Sequence, residues 1–98
     1  MVKHIVMLQL TQTVKQLGRD IIVSRLRESI DNMNDKIPGL LLAKLYDNNL
    51  GGTHVIALYC EFGNPSDLTI FLAHPLHLAH KEMAKDFVTN KVSLDFME

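Results

Sequence analysis

The stretch Leu40-Leu-Leu-Ala-Lys-Leu-Tyr-Asp-Asn-Asn-Leu-Gly-Gly-Thr-His-Val-Ile-Ala-Leu-Tyr-Cys-Glu-Phe62 holds two short apolar runs separated by the turn cluster Asp47-Asn-Asn-Leu-Gly-Gly52. Glycines and asparagines supply backbone conformations that other residues adopt at a cost, so this cluster predicts a hairpin between strands at 40–47 and 53–62. In the second strand His54, Ile56, Leu58, Cys60 and Phe62 share one face, and Val55, Ala57 and Tyr59 share the other. Neither face is polar, so both sides of the sheet need cover.

Upstream, Val23, Leu26, Ile30, Met33 and Ile37 recur every three or four residues, which predicts an amphipathic helix starting at an Asp20 N-cap. Pro38-Gly39 ends it. Residues 11–19 are polar and read as a connection, and residues 2–10 read as a strand with His4, Val6, Leu8 and Leu10 on one face. Downstream, Gly63-Asn-Pro65 is a turn, Ser66 followed by Asp67 reads as the next N-cap, and a helix carries Leu68, Phe71 and Leu72 up to Pro75. It resumes through Ala79, Met83 and Phe87, and residues 91–97 alternate as a last strand.

The order β-α-β-β-α-β is that of an α+β ferredoxin-like sandwich, in which two helices cover one face of a four-stranded antiparallel sheet. The other face would expose Ile5, Met7, Val55, Tyr59, Val92, Leu94 and Phe96, a larger apolar patch than a soluble monomer usually carries. A second copy packed sheet to sheet is the simplest cover, so a homodimer through the helix-free face is expected.

A length of 98 residues, 47% hydrophobic and 21% charged, fits one folded domain spanning residues 1–98. Ten basic residues against eleven acidic ones leave no basic stripe, and there is no Trp, so a nucleic-acid partner is not expected. No apolar run is long enough for a membrane span or a signal-peptide core. Cys60 is the single cysteine; in an apolar run it reads as a buried structural thiol, consistent with a cytoplasmic protein.

Phe71-Leu-Ala-His-Pro-Leu-His-Leu-Ala-His80 places three of the five histidines within a short span across a proline. Pro75 lacks a backbone N–H and disfavours helical geometry at His74, so His74 and His77 belong to different segments. Two readings stand side by side: histidines that cap or brace a helix junction, and histidines at a site. His4 and His54 lie on strand faces that look toward the helices, and His77 starts the helix above them. Groups from separate elements aimed at one point are what a site needs; the alternative is core histidines satisfied by backbone carbonyls. The spacing matches no strong zinc pattern, so no metal is expected.

Val2-Lys3-His4-Ile5-Val6, Ile37-Pro38-Gly39, Thr53-His54, His74-Pro75-Leu76-His77 and Leu94-Asp95-Phe96, in that order, make the chain resemble the stress-responsive α/β-barrel (Dabb) family of dimeric α+β barrels. A plant polyketide cyclase of that family closes an aromatic ring by aldol condensation without metal or organic cofactor. The resemblance implies His77 as the catalytic histidine, with His4, His54 and Asp95 around the same pocket and no cofactor. The cyclase pairs its histidine with a tyrosine six residues earlier; Phe71 stands there in this chain, without a hydroxyl.

The function expected is binding of a small apolar or aromatic ligand over Leu8, Ile56, Leu58, Phe71 and His74, with cofactor-independent lyase or cyclase chemistry on a histidine base. Two other classes compete: a haem-binding or monooxygenase-like barrel with one histidine as axial ligand, and a non-catalytic stress protein whose function is the dimer.

Overall fold

The computed structural model describes residues 1–48 and 50–98; Asn49, within the expected hairpin turn, lies outside the described residues. The elements are β1 (Val2–Leu10), α1 (Gln12–Leu17), α2 (Arg19–Asp31), β2 (Leu40–Asp47), β3 (Ile56–Phe62), α3 (Pro65–Ala73), α4 (Pro75–Ala84) and β4 (Val88–Met97). The strands form one antiparallel sheet in the order β2-β3-β1-β4, the ferredoxin-like arrangement.

Alternation builds the core. In β3, Ile56, Leu58, Cys60 and Phe62 are buried while the residues between them are partly exposed. Their partners across the ladder, Val6 opposite Leu58 and Val2 opposite Phe62, are buried too. Ile22, Leu26 and Ile30 of α2 and Phe71 of α3 complete the apolar layer. The opposite face carries Tyr46, Ala57, Met7 and Val92 in one cross-strand row and Lys44, Tyr59, Ile5 and Leu94 in the next. Leu94 is 58% exposed and Met7 38%, so this face is uncovered in the single chain. No helix among the described residues is long and apolar enough to cross a membrane.

Local expectations at the element ends are corrected. Residues 11–19 are not a plain connection but contain α1, a helix too short to show periodicity, pinned by buried Val14. Its junction with α2 is Gly18 at φ +101°, a conformation glycine tolerates, so Gly18 and not Asp20 is the N-cap. Asp20 instead sits in the first turn of α2, favourably placed for the helix dipole. That helix stops at Asp31, short of Pro38, because the chain turns through Asp35 at φ +67° while Met33 and Ile37 remain buried.

The turn is held by Asn34, whose Nδ2 donates to the Ala43 carbonyl and whose Oδ1 accepts from the Ala43 N–H, each at 2.9 Å. Asn64, not Ser66, caps α3: its Oδ1 accepts from the Asp67 N–H at 3.1 Å, and Pro65 follows in the first turn. Gly39 has φ +81°, and a Cβ there would lie 2.3 Å from Asp67 Cγ, so the α3 start packs directly on this turn.

Candidate functional site

The break at Pro75 creates the site's upper half. His74 is extended, at φ −69° and ψ +139°, and its Nδ1 accepts the Leu76 N–H at 3.1 Å as the N-cap of α4. In an unbroken helix that N–H would go to the Leu72 carbonyl, four residues back. The freed carbonyl instead accepts from His77 Nδ1 at 3.3 Å. A carbonyl only accepts, so the Nδ1 of His77 carries the proton and its Nε2 is a bare acceptor. His77 is 7% exposed, and burial is the main cause that pushes its pKa down to about 4, with Lys81, His80 and His4 adding repulsion.

The lower half is the sheet. His4 of β1 and Asp95 of β4 are register partners, so their side chains share the helix-facing side, and His4 Nδ1 donates to Asp95 Oδ1. His4 is buried and Asp95 half-exposed on the edge strand. No buried side-chain nitrogen or oxygen among the described residues lacks a hydrogen-bond partner. The Nε2 atoms of His4 and His77 have no partner among the described residues, so both open onto the cavity that the two residues border.

That cavity, about 440 Å³, lies between the sheet, α2 and α4. Its walls are apolar, with Leu8, Leu26, Ile30, Leu45, Ile56 and Leu58, so Leu8, Ile56 and Leu58 stand where the sequence placed them. Phe71 does not line it. Its ring is fully buried behind the imidazoles, 4.4 Å from His77, 6.1 Å from His4 and 5.2 Å from Phe62 between centroids, and so braces both histidines from behind. His74 also stays outside the lining, committed to its capping bond.

His54 is not brought to the site. It precedes β3, which starts at Ile56, and its neighbour Val55 bonds the Leu8 carbonyl, four residues along β1 from His4 and about 13 Å away at strand spacing. Its ring nitrogens contact Thr53 Oγ1 and the Asn90 carbonyl.

Four polar cavity residues were not singled out as site residues in the sequence: His80, Lys81, Lys85 and Lys91. The i, i+3 spacing of His77 and His80 is the signal for the first, once Pro75 has separated His74 from them. His80 Nδ1 contacts Ser29 Oγ of α2 at 2.8 Å, and burial lowers its pKa. It also borders a second concavity, of about 420 Å³, with Arg25, Glu28 and Asn32. Among the described residues no cluster of three or more His, Cys, Asp or Glu is arranged to hold a metal, and His74, His77 and His80 turn to three separate partners. Burial pushes the Cys60 thiol up to about 12, which leaves it unreactive.

The sequence matches the family model described as the stress responsive A/B barrel domain over residues 2–98. Among solved structures, a dimeric protein of unknown function with a ferredoxin-like fold from Bacteroides fragilis is 28% identical, with a TM-score of 0.88 over 99% of this chain and 95% of that one. A dimeric ferredoxin-like protein of unknown function from Thermobifida fusca is 18% identical, with a TM-score of 0.85 over 99% and 90% of the two chains. A structure described as an antibiotic biosynthesis monooxygenase is 15% identical, with a TM-score of 0.77 over 100% and 98%. The comparison with curated proteins found no match.

Proposed function

The chain belongs to the stress-responsive A/B barrel family, and on that premise we propose that it acts as a homodimer joined through its helix-free sheet face and binds a small apolar or aromatic carbonyl compound in the cavity above His4. The Bacteroides fragilis and Thermobifida fusca proteins are described as dimeric, and the uncovered rows around Tyr59, Ile5 and Leu94 offer a surface for the same assembly.

The observation that carries the chemical reading is the pair of imidazoles whose Nε2 atoms, without a partner among the described residues, border a cavity walled largely by aliphatic side chains. Asp95 holds the proton of His4 on Nδ1 and faces the positive charge that forms when Nε2 takes a proton, the role of the carboxylate in a carboxylate–imidazole pair. His77, kept neutral by burial, is a weak base and presents its Nε2 to the cavity as a hydrogen-bond acceptor only. The reaction class is cofactor-independent proton transfer at a carbon next to a carbonyl: His4 Nε2 removes the C–H proton, the electron pair moves into the carbonyl as an enolate, and the imidazolium returns the proton. With Phe71 fully buried and bearing no hydroxyl, a phenol relay has no place in this site.

Deuterium wash-in at the methyl group of 2-acetonaphthone, followed by proton NMR in heavy water, tests this. Wild type should catalyse exchange, and His4→Ala should lose about 10²- to 10⁴-fold of it. Exchange that survives His4→Ala unchanged would refute the assignment.

A further inference from the structure

The apolar walls of the cavity do not account for the charge at its mouth. Acids slightly outnumber bases over the whole chain, eleven to ten. Yet the charged side chains that border the cavity are Lys81, Lys85 and Lys91, and no carboxylate borders it. Lys81 and Lys85 are four residues apart at the end of α4 and so project from one side of it. Lys91 comes from β4, where alternate residues share a face, and so stands on the helix side with Ser93 and Asp95. Asp95, the acid on that face, is engaged by His4. Lys85 pairs with Glu82 at 2.6 Å, whereas Lys81 and Lys91 form no ion pair among the described residues. Basic residues in the last turn of a helix complement its dipole, which explains Lys81 but not Lys91 on the strand across the opening.

Resting on the reading of this cavity as a ligand site, we propose that its ligand is an apolar or aromatic carboxylic acid, with its body on Leu8, Ile56 and Leu58 and its carboxylate between Lys81 of α4 and Lys91 of β4. A single anionic group fits better than a polyphosphate: lysines act as point charges, and no glycine borders the cavity to bring backbone N–H groups onto a phosphate chain. The lysines are exposed, so they meet the anion without first losing their hydration. The same charges give the site its selectivity, since an uncharged molecule of equal shape fills the walls and leaves the mouth unsatisfied.

Calorimetric titration of naphthalene-2-carboxylate and naphthalene-2-carboxamide into wild type and Lys81→Met/Lys91→Met separates the possibilities. An exposed charge pair is worth a factor of about 1.4 to 5, so two or three acting together should favour the acid by about tenfold at low salt. The preference should shrink at 300 mM NaCl and vanish in the double variant, while the amide binds both proteins alike. Methyl shifts on binding should fall on Leu8, Ile56 and Leu58. Equal affinity for acid and amide in wild type would overturn the anion proposal and leave the ligand site standing. A preference that persists in the double variant, or binding that leaves those methyls unmoved, would overturn the assignment to these lysines. No binding of either compound would refute the ligand site itself, and the proposal with it.

Discussion

His77 gives the fold a definite acid response. Its pKa in the folded chain is about 4, against an ordinary value of 6.5, chiefly because burial disfavours the charged ring. On acidification the unfolded chain binds this proton first, so stability is full above pH 6.5, falls between 6.5 and about 4, and levels below that. Integrating the two titrations gives a loss of about 2 kcal/mol at pH 5 and about 3 kcal/mol at pH 4 from this group alone. His80, lowered by burial as well, adds loss of the same sign. His77→Gln isolates the first contribution, because the amide does not titrate and its N–H can still reach the Leu72 carbonyl that His77 Nδ1 uses. The assay is urea unfolding of both proteins at one protein concentration, at pH 7.5 and pH 5. The fixed cost of the substitution cancels when each protein is compared with itself across pH. The drop from pH 7.5 to pH 5 should be smaller in the variant by about 2 kcal/mol. Equal drops in the two proteins would refute the claim that His77 is buried in its neutral form.

Phe71→Tyr should destabilise, because the ring is fully buried and a new hydroxyl without a partner costs about 1–3 kcal/mol; urea unfolding reads this, and a more stable variant would show that the oxygen finds a partner. Tyr59→Asp should convert the proposed dimer to monomer in sedimentation velocity, since it sets a carboxylate beside Glu61, the present acceptor of the Tyr59 hydroxyl, on the uncovered sheet face. Gly39→Ala should lower the urea midpoint, with a cost of about 2 kcal/mol or more from its positive φ and its approach to Asp67; an unchanged midpoint would mean the turn relaxes freely.

The strands were legible because alternation is local: Ile56, Leu58, Cys60 and Phe62 report their shared face by spacing alone. Asp95 entered the expected site through the family resemblance, and its pairing with His4 became visible only with the β1–β4 register. Helix ends were harder, since the turn after Asp31 is decided by the bond of Asn34 to Ala43, a contact nine residues away that periodicity does not register. The strand was expected to start at Thr53 but starts at Ile56, and His54 consequently falls at the far end of the sheet. Phe71, at the position of the cyclase's tyrosine, was expected in the pocket lining; it is buried in the core with its ring against His77, which borders the cavity in its place. Lys91 was invisible as a cavity residue because the β1–β4 register shifts between Met7 and Gln9, so its level on the sheet depends on a bulge.

The side-chain amide of Asn34 also settles how the sheet can grow. At the middle of β2 it occupies the N–H and carbonyl of Ala43, so a further strand arriving on that border finds these two hydrogen-bonding positions taken. On the far border β4 is exposed along most of its length and carries no comparable plug among the described residues. In-plane extension by another chain is therefore hindered at the middle of β2 and more open at β4, the strand that also carries Asp95 and Lys91.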